Sequence, residues 1–387
     1  MGAPRVRIVR GVVAAIALAV MWSLPSDEQV ASAAPTVTVT EYAAGISGAP
    51  GQVPGTIAAG PDGNVWFTEY NQSIVAKITP TGQVTEYQLP AGHHPYGITA
   101  GPGGALWVSI DASTYDPQTC QFTGGHDKIA RVTTDGQVTM FDTVSPHGKP
   151  SGITVGPDGA LWFGMSGYLC LSPTVIGGSG IGRITTAGVA SEFTAGFDPQ
   201  EGVGSVANGP DGRIWFTDLF DEQIGAMTAG GTVTHHALPY AQFPSGLTTG
   251  PDGNVWFTIN RSQGALGRST PGGDLTFFTT GLPKDFDAWD IAVGPDQQLW
   301  FVGGGSGLGQ ITTAGTITMV SGISAQQYPA AITPGPAGSN TLWFAGNTVV
   351  GKVQLPAPPP TSSTTTTTPA GTPTTTTVPA VVPRFTG

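Results

Sequence analysis

Gly60-Pro61-Asp62-Gly63-Asn64-Val65-Trp66-Phe67-Thr68-Glu69 is the stretch that decides the fold. Pro sets one backbone dihedral, Asp bonds the neighbouring backbone and Gly takes a positive φ, so the first four residues read as a tight turn. The next six alternate around a Trp-Phe pair and read as a strand. The unit recurs seven times with variations, marked by Trp66, Trp107, Trp162, Trp215, Trp256, Trp300 and Trp343. The markers are 41, 55, 53, 41, 44 and 43 residues apart. A base period near 42 is that of a four-stranded propeller blade.

Around each marker lie further strand patterns. Gly97-Ile98-Thr99-Ala100 illustrates the strand before the turn, Val75-Ala76-Lys77-Ile78-Thr79 the one after the marker, and Gln83-Val84-Thr85-Glu86-Tyr87 the fourth. One such sheet cannot bury both faces, whereas radial stacking buries them and leaves short protected edges. The expectation is an all-β, seven-bladed β-propeller of four-stranded blades. The last repeat lacks a fourth strand before the Pro-rich tail. Val37-Thr38-Val39-Thr40-Glu41-Tyr42 matches one, so an N-terminal outer strand is expected to close the ring in the last blade. The seven Trp residues read as core, and Asp62, Asp158, Asp211 and Asp252 as turn residues.

Three segments are expected: 1-34 a signal peptide, 35-355 the propeller, and 356-387 a Pro/Thr-rich disordered tail. Arg5, Arg7 and Arg10 precede an apolar run, and Ala31-Ser32-Ala33 offers small residues for cleavage. The apolar run is too short to span a membrane, so no span is expected after its removal. Secretion follows as an expectation, with cell-surface association through the tail, whose Thr stretches suit O-glycosylation. Pro383-Arg384-Phe385-Thr386-Gly387 faintly resembles a sortase signal. In an exported chain Cys120 and Cys170 are expected to form a disulfide between two inserted loops, Asp111 to Gly125 and Gly167 to Ser179. A net charge of −11 leaves no basic surface for phosphates and argues against nucleic acid as partner. A monomer is expected.

The repeat Gly-Ile-Thr-x-Gly-Pro-Asp-Gly-x-Leu-Trp-Phe-Thr-Glu resembles the streptogramin B (virginiamycin B) lyase family of seven-bladed propellers, over about Thr36 to Leu355. The resemblance implies ester opening by elimination, with Mg²⁺ and a His general base. It puts the functional His just before the Gly-Ile of the first strand, one of them in a Glu-x-His set, and a Glu after Trp-Phe-Thr. At the His position stand Gly55, Tyr96, Ser151, Gly204, Ser245, Trp289 and Ala330. At the Glu position only Glu69 and Asp218 are acidic, and Asp287-Ala288-Trp289 is the nearest echo of Glu-x-His. The family's base is therefore absent from its expected places.

Two readings follow. The first is an extracellular binding or scaffold module that takes a small molecule, glycan or protein at the channel mouth through Tyr96, Trp289 and Tyr328. The alternative is a metal-assisted lyase or lactone-opening hydrolase with a relocated site. Its catalytic candidates are His94, Glu69, Asp218 and Asp287, and its metal candidates Glu69 and Asp218; Mg²⁺ is implied only by this second reading. His235 and His236 fall on an outer strand, where solvent exposure is expected; His126 and His147 fall in loops.

Overall fold

The computed structural model describes residues 36–48, 54–116, 118–119, 121–145, 147–167, 178–198, 202–218, 222–239, 243–260, 264–305, 307–324 and 327–357, without the side chains of Pro54, Gly55 and Tyr115. Both expected cysteine partners, the leader and nearly all of the tail lie outside these residues. Seven four-stranded antiparallel sheets form the blades. Blade one runs outward through Pro54–Ala59, Val65–Glu69, Ile74–Ile78 and Val84–Gln88. In blade seven, Ala331–Pro334, Thr341–Ala345 and Val350–Gln354 are completed by Thr38–Tyr42. That strand pairs Thr38 with Gln354 and Tyr42 with Val350, the expected closure.

The marker Trp side chains are at most 1% exposed, and each packs into the seam with the following blade. The turn Asp does more than bond the backbone. Its carboxylate also accepts the marker indole N–H, as in Asp62 to Trp66 at 3.0 Å and Asp252 to Trp256 at 3.0 Å. Blade two has Gly103 in place of this Asp, and there the buried Trp107 Nε1 has no partner. An outer-strand ring stacks on six of the seven marker Trp side chains, all but Trp300, for example Tyr87 on Trp66 at 5.5 Å. Lys77, Arg183, Arg213, Arg268 and Lys352 lie over these rings, adding cation–π attraction.

His235 and His236 correct the expectation of exposure. His236 takes the stacking role on Trp215 at 5.7 Å, and His235 Nε2 meets the Gly196 carbonyl at 2.9 Å. Both are half-buried structural side chains: His235 lies under the connection from blade three at Gly196 and Phe197, and His236 against the turn of blade five at Gly273. The insert Asp111 to Gly125 also holds an unforeseen hairpin, Thr114–Asp116 with Gln121–Gly124. No helix among the described residues is long and apolar enough to cross a membrane.

Candidate functional site at the channel mouth

Each inner strand starts at the face that carries the connections between blades. A chain of side-chain bridges, five made by hydroxyls and one by a carboxylate, links six of the seven seams there. Thr68 Oγ1 accepts the Thr56 N–H at 2.9 Å and donates to the Tyr96 carbonyl of blade two at 2.8 Å. Ser109 repeats the arrangement between Gly97 and Ser151, Thr217 between Ser205 and Ser245, and Thr258 between Gly246 and Trp289. At blade three, where Gly164 stands in the hydroxyl's place, Ser151 Oγ donates instead to the Val203 carbonyl at 2.6 Å.

Blade six uses a carboxylate for the same task. Asp290 accepts its neighbour Ile291 N–H and the Ile332 N–H of blade seven, each at 2.9 Å. Burial pushes its carboxyl up to about 7, and the two N–H groups oppose the shift. Nothing in the local sequence marks Asp290, since its role depends on a blade forty residues away.

Because the backbone is held this way, the side chains beside it project from a stiff wall. Tyr96, Trp289 and Tyr328 are 44%, 40% and 48% exposed, although tyrosine and tryptophan are costly to leave in water. Tyr96 and Trp289 occupy equivalent places on inner strands, with their own carbonyls in the bridge chain. Tyr328 leads into blade seven in the left-handed region at φ 44°, its N–H on the Gly305 carbonyl at 2.8 Å. A bulky residue in that region is strained by about 1 kcal/mol or more and persists where the surroundings hold it.

Beside Tyr96 lies a second group. His94 stacks on Tyr70 at 5.0 Å, and its Nδ1 meets the Tyr70 carbonyl at 2.9 Å. A carbonyl can only accept, so Nδ1 carries the proton and a neutral ring keeps its lone pair on Nε2. The Tyr70 hydroxyl donates to Asp111 at 2.6 Å, and the Tyr70 ring meets Tyr96 edge-on at 6.3 Å. Burial and Asp111 together raise the Tyr70 phenol above its ordinary value, keeping it a donor. Fully buried Asp127 accepts the N–H groups of Ala112, Ser113 and Lys149, fixing the loops around this group.

The other candidates are scattered. Glu69 points into the seam between blades seven and one, and Asp218 is buried in blade four on Gln223 at 3.3 Å. Asp287 is half-buried before blade six, its carbonyl accepting the Gly304 N–H at 2.7 Å. Alternate residues of a strand face opposite seams, so a carboxylate three residues after the marker turns away from the channel. No three His, Cys, Asp or Glu side chains converge among the described residues in a way that could hold a metal. The donor set expected for Mg²⁺, Glu69 with Asp218, therefore does not fit one ion.

The sequence profile of the Virginiamycin B lyase family matches residues 9–166 and 171–362. The virginiamycin B lyase of Nocardia farcinica (strain IFM 10152) is 30% identical over 226 residues, 58% of this chain and 68% of that one. Among solved structures, a streptogramin B lyase superposes with a TM-score of 0.68 at 25% identity, covering 83% of this chain and 98% of the other. A catalytically inactive virginiamycin B lyase from Staphylococcus aureus with quinupristin gives 0.68 at 27%, covering 83% and 100%. With the repeat, the ring closure and these likenesses together, the chain belongs to the virginiamycin B lyase family.

Proposed function

We propose that the protein binds a small, partly aromatic ligand at the channel mouth, held by Tyr96, Trp289 and Tyr328, without the family's base at its usual places. One observation carries this reading. Of the five large apolar side chains that stand exposed among the described residues, three are aromatic; Tyr96 and Trp289 stand near the starts of inner strands and Tyr328 three residues before one. Exposed aromatics on a rigid concave wall are how small-ligand sites are built. The S. aureus relative with quinupristin makes a cyclic peptide the first ligand to try. The reading also places the protein outside the cell, on the strength of the charged and apolar leader pattern.

A second reading, a lyase with a displaced base, rests on His94, whose Nε2 lone pair beside Tyr96 suits proton abstraction. One titration separates the two. The chain has nine Trp; Trp22 lies in the leader segment and seven are buried, which leaves Trp289 as the solvent-accessible fluorophore of the propeller. Virginiamycin B should quench or shift its emission while mass spectrometry finds the ring intact, and Trp289→Phe should abolish the signal. Ring opening that disappears in His94→Ala would select the second reading. Unchanged emission with virginiamycin B and with a panel of aromatic cyclic peptides would overturn the binding proposal.

A further inference from the structure

We propose that the seam between blades seven and one holds a divalent cation of the calcium class between the carboxylates of Glu69 and Glu86, beside the hydroxyl of Ser47. This site is separate from the channel mouth and rests on no part of the channel reading.

Glu69 ends the second strand of blade one and is 3% exposed, yet neither of its carboxylate oxygens has a hydrogen-bond partner. A buried carboxylate left so is expensive, and native chains satisfy one with a donor, a proton or a cation. Glu86 lies on the same face of the sheet: Phe67 stands opposite Ala76, and Ala76 opposite Glu86. The Ser47 N–H and Oγ each meet a Glu86 oxygen at 2.6 Å. The chain above is close, since a Cβ on Gly48 would lie 3.4 Å from Glu69 Oε2. The connection from Ala43 to Val53 contains no Lys, Arg or His, and none of the described ion pairs includes Glu69 or Glu86. Burial first, and the neighbouring Glu86 second, push the Glu69 carboxyl up to about 7, and the nearby Gly48 N–H only partly opposes them.

The repeat supplies its own control. In blade three Glu192 accepts Ser145 N–H and Oγ at 2.8 and 2.5 Å, as Glu86 accepts Ser47. Its counterpart to Glu69 is the fully buried Met165, lying against Gly148 as Glu69 lies against Gly48. The fold therefore accepts an uncharged side chain at this place. In blade four the equivalent pair is Asp218 with His235, and in blade five Ile259 with Phe277. Among the described residues only blade one sets two carboxylates together at these positions. Two carboxylates and a hydroxyl are all-oxygen donors, which suit calcium's flexible shell.

Such an ion binds the closed ring and not the unfolded chain, so it should raise thermal stability. Calcium at about 5 mM, added to chelator-treated protein, is expected to raise Tm by about 3 °C or more. Equilibrium dialysis should find one ion per chain. Glu69→Met, which copies blade three, should fold, lose the ion and lose the calcium response; Glu69→Gln should do the same. An unmoved Tm in the native protein, or an equal shift or ion count in both variants, would overturn the proposal. A Tm that responds to pH alone would assign the pair a shared proton instead and would overturn it too.

Discussion

Tyr42→Ala tests how the ring is held shut. The Tyr42 ring stacks on Trp343 with centroids 5.9 Å apart and planes 17° from parallel. It also roofs the turn of blade one: a Cβ on Gly82 would come within 2.2 Å of it, and Gly82 itself sits at φ +92°. One half-buried ring thus joins the last blade to the first. Truncation uncovers roughly 100 Å² of apolar surface, worth about 2.5 kcal/mol, and the lost stacking adds about 1 kcal/mol. The expected cost is therefore about 3.5 kcal/mol, with a fall in Tm on the order of 5 °C. Tyr87→Ala is the matched control, because Tyr87 stacks on Trp66 and roofs Gly136 of blade two in the same way. Blades one and two are covalently consecutive, whereas blade seven keeps its outer strand by non-covalent contact. Urea melts and unfolding rates of both variants measure the difference, and Tyr42→Ala should unfold faster than Tyr87→Ala. A cost for Tyr42→Ala below about 0.5 kcal/mol would refute the idea that this ring latches the closure.

Three further outcomes are expected. Glu69 has its carboxyl raised from 4.5 to about 7, so between those values the folded chain keeps a proton that the unfolded chain has lost. In chelator, the contribution of Glu69 to stability should be complete below about pH 4.5 and decline as pH rises through 7, by about 3 kcal/mol, and Glu69→Met should remove that part of the slope while leaving the part due to Asp290. A chelator-treated protein whose urea midpoint holds from pH 5 to 8 would contradict the burial argument. Thr258→Val removes the hydroxyl between the Gly246 N–H and the Trp289 carbonyl, at a cost of about 1–3 kcal/mol; the same variant should red-shift or broaden Trp289 emission, and an unaltered melt and spectrum would mean that the bridge does not hold the wall. Trp289 should be the main target of acrylamide, so Trp289→Phe should leave emission almost unquenchable; strong residual quenching would mean that a marker Trp is exposed.

What the chain could announce by itself was whatever repeats along it. Marker spacing, turn residues and alternating strands are local, and they sufficed for seven blades, four strands each, and closure by Val37 to Tyr42. The family likeness and the loss of its histidines were legible for the same reason, since each stands at a set offset from a marker Trp. Tyr96 and Trp289 could be named because an inner-strand start is a position in the repeat. Other features depend on which seam a side chain enters and on what the neighbouring blade places there. Glu69 looked like a partner for Asp218 because both follow a Trp-Phe pair, but strand alternation turns each into its own seam. Its actual neighbour, Glu86, stands across two strand pairings. Asp290 acquired its role from Ile332, and Glu41 meets Ser324 from 283 residues away. Those contacts form only when the ring closes, because the blades they join are brought together by burial of the Trp-Phe faces rather than by any local preference of the chain.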